Sequence, residues 1–294
     1  MNLNQYKLWT AVITPMNDQH QVDFEALTAI IKDQCEANNG LLVLGSTGEA
    51  LNITLDEKKK IVEHVINLKP SSHIMVGVGG HQLQETMDWV KYLETQQIHA
   101  YLMVTPLYSK PGPIGQYQWF KALMDASTKP VMLYNVPGRT AVALSTEAVA
   151  QLSNHKNFWA IKEASGSVEK FKEYLKAANG KAVYCGDDAL MPEFALAGSS
   201  GLVSVASNSW PAETNLYVEK CLTKTFDDKT LWTEASNSLF LVSNPVPVKR
   251  LMYEAGKIKT PFMFAPLSHE DLKDITKLQI ANEQVKAWYK RNAK

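Results

Sequence analysis

Apolar, β-rich runs recur along the chain at Thr10–Thr14, Gly40–Gly45, His73–Gly79, Ala100–Pro106, Pro130–Pro137, Phe158–Ser165, Ala182–Asp188 and Gly201–Ser207. Several are nearly continuous (LLVLG, YLMVTP, VMLYNVP) rather than alternating, the pattern of parallel strands covered on both faces. Segments of helical spacing lie between them. Asp23–Asn38 places Phe24, Leu27, Ile30 and Ile31 on one face, and Leu55–Leu68 opens on Asp56 and Glu57 and then buries Ile61, Val65 and Leu68. Leu83–Gln96, Gln116–Ala126, Ser145–Asn154, Val168–Ala178, Ala189–Ala197 and Ala212–Lys224 follow the same plan. Ser145, three residues before Ala148, reads as an N-cap, and Asn179-Gly180 as a stop.

Strand–helix alternation repeated eight times over about 225 residues is the count of an α/β (βα)8 TIM barrel. A doubly wound sheet is the rival. Its one candidate loop, Gly77-Val78-Gly79-Gly80, lacks the third glycine of a dinucleotide turn, and no P-loop lysine follows. Residues 226–294 carry no strand signal. Thr230–Ser243, Val246–Glu254 and Asp271–Arg291 predict helices, so the expectation is a barrel over residues 1–225 and a C-terminal helical extension over 226–294, packed on it.

Composition narrows the function classes. Lys plus Arg equals Asp plus Glu at 30 each, which leaves no basic footprint for nucleic acid and no polybasic membrane patch. No run approaches the ~18 consecutive apolar residues of a membrane-spanning helix. Met1–Trp9 lacks the apolar core of a signal peptide, so a soluble, cytoplasmic protein is expected. Cys35, Cys185 and Cys221 are far apart and without CxxC spacing, and the seven histidines form no HxH or HxxxH pair. Gly186-Asp187-Asp188 could hold a metal, yet without histidine partners it reads better as a helix cap. Neither a metal nor an organic cofactor is expected.

Barrel chemistry sits at the C-terminal ends of the strands. The sixth strand reads FWAIKEASG and places Lys162 behind an apolar run. Desolvation of a lysine favours its neutral amine, the form that attacks a ketone to make an imine. An ion pair with Glu163, or snorkelling to the barrel mouth, are equally good readings of that segment alone. The fifth strand ends in YNVPGRT, offering the Tyr134 hydroxyl for proton relay and the Arg139 fork for a carboxylate. GSTGE after the second strand puts Ser46 and Thr47 between glycines, which suits either a small carboxylate or a plain tight turn. Tyr108, in TPLYSKP, belongs to a proline-stiffened loop or projects into a site, its own or a neighbouring subunit's.

Together GSTGE, TPLYSKP, YNVPGRT, IKEASG, CGDD, GLVSVASN and NPVPVK, in order from about Thr10 to Lys249, resemble the pyruvate-dependent class I aldolase (N-acetylneuraminate lyase) superfamily, and within it the dihydrodipicolinate synthase family. The resemblance implies a lyase in which Lys162 forms an imine with pyruvate, whose enamine attacks aspartate 4-semialdehyde to give 4-hydroxy-tetrahydrodipicolinate, on the diaminopimelate and lysine route. It implies a proton relay of Tyr134, Ser46 and Tyr108, with Tyr108 lent by the partner of a tight dimer within a homotetramer. It places the pyruvate carboxylate on Thr47, in a pocket lined by the backbone near Val203, and the semialdehyde carboxylate on Arg139. Ser46 departs from the threonine common at that position. The positions matching the family's lysine-inhibition site are Ala50, Leu55, Lys58, His81, Glu85 and Leu107; only Glu85 is kept, and Lys58 would repel a lysine ligand. Weak or absent lysine inhibition is therefore expected. N-acetylneuraminate lyase lacks the arginine after YNxP, and a non-catalytic keto-acid-binding barrel would have no need of Lys162, Tyr134 and Arg139 together.

Overall fold

The computed structural model describes residues 2–293. Eight strands close into one parallel barrel in sequence order: β1 (Leu8–Ala11), β2 (Gly40–Val43), β3 (Ile74–Val78), β4 (Ala100–Val104), β5 (Val131–Asn135), β6 (Phe158–Glu163), β7 (Ala182–Cys185) and β8 (Leu202–Ser204). The expected TIM barrel is the observed fold.

Strand alternation divides the interior in two. Leu42, Met75, Leu102, Met132, Tyr134, Ala160, Tyr184 and Val203 point inward and fill the barrel. Their neighbours Leu41, Val43, Val131, Leu133, Ile161 and Val183 point outward and join a larger apolar layer under the helices. Burial on both sides is why the strands read as unbroken apolar runs. Where β2 and β3 approach at their ends, a Cβ on Gly77 would stand 2.0 Å from the Leu44 carbonyl oxygen, so only glycine lets the ladder close there.

The helices follow the predicted periodicity, with Ser145 Oγ accepting from Ala148 N and positive φ at Asn179 and Gly180 ending Val168–Ala177. Boundaries differ by a few residues at many elements, the strands ending earlier than their apolar runs and the helix expected over Thr230–Ser243 spanning Lys229–Ser238. The first strand is Leu8–Ala11 rather than Thr10–Thr14; Val12 and Ile13 are buried in the loop after it and prolong its apolar signature. The final helix is Thr276–Asn292, and Asp271 belongs instead to a one-turn 3-10 segment, His269–Asp271.

The C-terminal residues add helices Lys229–Ser238, Val246–Glu254 and Thr276–Asn292. From two of them, Trp232 stacks on Tyr217, which lies in the helix after β8, and Trp288 meets both rings edge to face, so the outer apolar layer continues from the barrel into these helices. A second tie is ionic. Lys249 Nζ lies 2.6 Å from Glu49 Oε1, both side chains fully buried, and Glu49 follows directly on the Ser46–Gly48 turn. Phe262 O accepts from Lys249 Nζ, and Phe264 N donates to Glu49 Oε2. Burial acts against both charges, raising the pKa of Glu49 and lowering that of Lys249, while their mutual attraction opposes it.

Candidate active site

Lys162 sits one residue before the end of β6, directly across the ladder from Tyr134 of β5. Alternation turns Lys162 into the barrel and Glu163 outward, which answers one of the two bland readings: Glu163 takes hydrogen bonds from Asn135 Nδ2 and Ser165 N, and forms no ion pair with Lys162. Lys162 is only 6% exposed. Its Nζ lies 4.3 Å from the centroid of the Tyr134 ring, so the amine and the phenol share one small volume. The far side of the lysine is kept clear by Gly186, where an added Cβ would meet Lys162 Cε at 3.0 Å and Ala164 Cβ at 2.8 Å.

The turn after β2 presents Ser46 to solvent and buries Thr47. It is closed by Glu49 N donating to Ser46 O and Thr14 Oγ1 donating to Gly48 O. Glu49 adopts φ +54°, a left-handed conformation that costs a non-glycine residue energy, and its side chain is held by Lys249. Arg139 lies in a single helical turn, Pro137–Thr140, that the sequence pattern did not reveal.

Asn244 links these two elements. Its side-chain Nδ2 donates to Thr47 Oγ1 at 3.0 Å, and its backbone oxygen accepts from Arg139 NH2 at 3.0 Å. Its Oδ1 is buried without a partner. Sequence reasoning missed Asn244 as a site residue, although it opens the NPVPVK motif.

Ser46, Tyr134 and Arg139 line one open cleft of about 970 Å³. Val203 lies in the packed barrel interior with Tyr134. Tyr108 is not brought to the others: it stands at the tip of the loop after β4, 92% exposed with φ +65°. That loop and the Arg139 loop are nevertheless tied together, because Gln116 Nε2 donates to Pro111 O and Ala143 O while its Oε1 accepts from Ser145 N.

Asp187 and Asp188 hold backbone. Asp187 caps the turn Asp188–Leu190 through Ala189 N, and Asp188 accepts from Ser204 Oγ and from the N–H groups of Val205 and Ala206, just beyond Val203. Burial raises both carboxyl pKa values. No cluster of three or more His, Cys, Asp or Glu side chains is placed to hold a metal among the described residues. Among those residues no helix is long and apolar enough to cross a membrane.

A profile of the Dihydrodipicolinate synthetase family matches residues 4–284. The chain belongs to that family. It is 42% identical over 282 residues to the 4-hydroxy-tetrahydrodipicolinate synthase of Wolbachia pipientis subsp. Culex pipiens, covering 96% of each chain. Among solved structures, the 4-hydroxy-tetrahydrodipicolinate synthase of Methylacidiphilum fumariolicum SolV superposes with a TM-score of 0.92 at 27% identity, over 98% of each chain. The chloride-inhibited dihydrodipicolinate synthase of Acinetobacter baumannii, complexed with pyruvate, superposes with a TM-score of 0.88 at 30% identity, over 96% of this chain and 98% of that one.

Ala50, Leu55, Lys58, His81, Glu85 and Leu107, the positions the resemblance sets against a lysine-inhibition site, all line the same cleft as Ser46 and Arg139. Lys58 is half-buried there, makes no salt bridge among the described residues, and has its pKa lowered by burial.

Proposed function

We propose that this chain is a 4-hydroxy-tetrahydrodipicolinate synthase, a lyase that condenses pyruvate with L-aspartate 4-semialdehyde through an imine on Lys162. The observation that carries the reading is the pairing of the Lys162 amine with the Tyr134 ring at the barrel mouth, 4.3 Å apart, beside a cleft lined by Arg139. The family and the pyruvate held by the Acinetobacter baumannii relative support it.

The Lys162 amine attacks C2 of pyruvate, and the carbinolamine loses water to leave the imine. Tyr134, one side chain away, moves the protons that the addition, the dehydration and the imine–enamine step require, with Ser46 and the partner's Tyr108 passing them to solvent. Thr47 holds the pyruvate carboxylate, and the backbone near Val203 lines that pocket. The enamine carbon then attacks the aldehyde, whose own carboxylate rests on Arg139, and two gripped anions convert an encounter of three bodies into a reaction within one complex. No metal or organic cofactor takes part.

Tyr108 sets the assembly. At 92% exposure it has nothing of its own subunit to act on, and Leu51 and Leu55 lie exposed along the cleft edge. A tight dimer that inserts Tyr108 of the partner subunit and covers these leucines completes the site, and two such dimers make the tetramer. The pathway is diaminopimelate and lysine biosynthesis, the compartment the cytoplasm.

Borohydride reduction in the presence of pyruvate tests the reading. The intact protein gains the mass of one reduced pyruvate adduct, located on the peptide containing Lys162, and Lys162→Ala gains none. An unmodified wild-type protein would sink the imine mechanism.

A further inference from the structure

Directly behind the pairing of Lys162 with Tyr134 lies a second one. Asn135 and Glu163 form the next rung of the same ladder, both turned outward between barrel and helices, with exposures of 1% and 0%. Glu163 is a carboxyl buried without any salt bridge among the described residues, and burial raises its pKa. A group of that kind is costly, and an uncharged side chain would be cheaper unless the hydrogen bonds demand an acceptor.

They do, because every bond has a fixed direction. Leu144 N donates to Asn135 Oδ1 at 2.8 Å, which turns Asn135 Nδ2 toward Glu163 Oε2 at 2.5 Å. Ser165 N donates to Glu163 Oε1 at 2.8 Å. Both carboxylate oxygens therefore face N–H donors, and the chain cannot be reversed, since its two ends are backbone N–H groups. Around it, Ala164 N donates to Asn135 O, Gly186 N to Glu163 O, and Tyr174 OH to Leu144 O. The β5–β6 ladder carries a register shift at its start, between Val131 and Met132. After the shift the rungs run in register from Met132–Ala160 to Asn135–Glu163, and the side-chain pair closes their far end.

We propose that Asn135 and Glu163 form a buried clamp that sets the placement of Tyr134 against Lys162, making Glu163 a positioning residue for imine formation. The proposal rests on the imine reading above. The clamp touches no substrate. It acts by holding the last two rungs of β5–β6 in register, and through Leu144 it steadies the loop that carries Arg139.

The directionality supplies the test. In Glu163→Gln an amide N–H must face Ser165 N–H or Asn135 Nδ2. In Asn135→Asp two carboxylates oppose each other. The double variant Asn135→Asp/Glu163→Gln restores every bond with the middle one reversed. Each variant is purified, shown to be folded by circular dichroism, and reacted with pyruvate and borohydride in a rapid-mixing time course. Both single variants should form the adduct at least about tenfold more slowly, as misplacement of reacting groups costs rate, with little change in the pyruvate concentration giving half-saturation. The double variant should recover to within about threefold of wild type, because its hydrogen bonds are again complete. Singles that react at the wild-type rate, or a double variant that stays slow or does not fold, would overturn the clamp. Failure of the wild type to trap pyruvate at all would overturn the imine reading instead, so the two are told apart in one experiment.

Discussion

The buried pair Glu49–Lys249 joins the turn that carries Ser46 and Thr47 to helix Val246–Glu254, and its removal is the perturbation with the most calculable outcome. In Lys249→Met the methylene stem is retained, but Glu49 keeps only the hydrogen bond from Phe264 N, and Phe262 O loses its donor. Removing one partner of a buried ion pair typically costs about 3–5 kcal/mol. At roughly 2–4 °C per kcal/mol for a chain of this size, the melting temperature should fall by about 6–20 °C. The loss should depend on pH with a definite sign. Without the lysine, Glu49 loses the attraction that opposes burial, so its folded-state pKa rises further above 4.5. A raised carboxyl pKa means the folded chain holds a proton the unfolded chain has released. Stability is then lost as pH rises through the folded value and returns as pH falls. Differential scanning fluorimetry of wild type, Lys249→Met and Glu49→Gln/Lys249→Met at pH 8 and pH 5.5 checks both claims. The single variant should be worst at pH 8 and partly recovered at pH 5.5, and the double variant should be the more stable of the two at pH 8. A single variant melting within 2 °C of wild type would refute the account of the pair as a structural tie.

Three further outcomes are expected. Arg139→Ala should weaken use of the semialdehyde by roughly 1.5–3 kcal/mol, about 10- to 150-fold in kcat/KM, while borohydride trapping with pyruvate persists; equal loss of trapping would mark the arginine as structural. Lysine at submillimolar concentration should leave turnover unchanged, since half-buried Lys58 lines the matched cleft, and half-inhibition in that range would contradict the reading. At the opposite end of the barrel, His99 Nδ1 accepts from Ile74 N and its ring packs on His73 at 4.4 Å; burial first, and then His73, lowers its pKa from 6.5. The unfolded chain therefore binds the proton first, and stability should drop as pH falls through 6.5 toward the folded value, a slope in urea midpoints that His99→Gln should flatten and that an unchanged slope would disprove.

The strands and the buried Lys162 were legible for the same reason: a barrel buries its strands on both faces, so VMLYNVP and FWAIKE are unbroken apolar runs and a lysine closing one stands out. Strand ends were not legible, since Val136 and Ala206 stay buried past the last ladder bond and extend the apolar run. The turn Pro137–Thr140 was hidden because four residues carry no helical period. Asn244 and the Glu49–Lys249 pair were out of reach altogether. Their partners lie about two hundred positions away, and only closure of the barrel brings the C-terminal helix beneath the GSTGE turn. Glu163 had a visible signal, being next to an inward lysine and hence outward by alternation, but nothing in the run names Asn135 as its donor.

Asn244 gives the two proposed anion grips, Thr47 and Arg139, a common mount. Its side chain fixes Thr47 and its main chain fixes Arg139, so one residue at the head of a C-terminal helix carries both ends of the gauge. A disturbance transmitted through Val246–Glu254 then displaces the pair as a unit and leaves the spacing between them intact. Kinetically, the Michaelis constants for keto acid and aldehyde should drift together across substitutions in that helix, as correlated readings of one moving part.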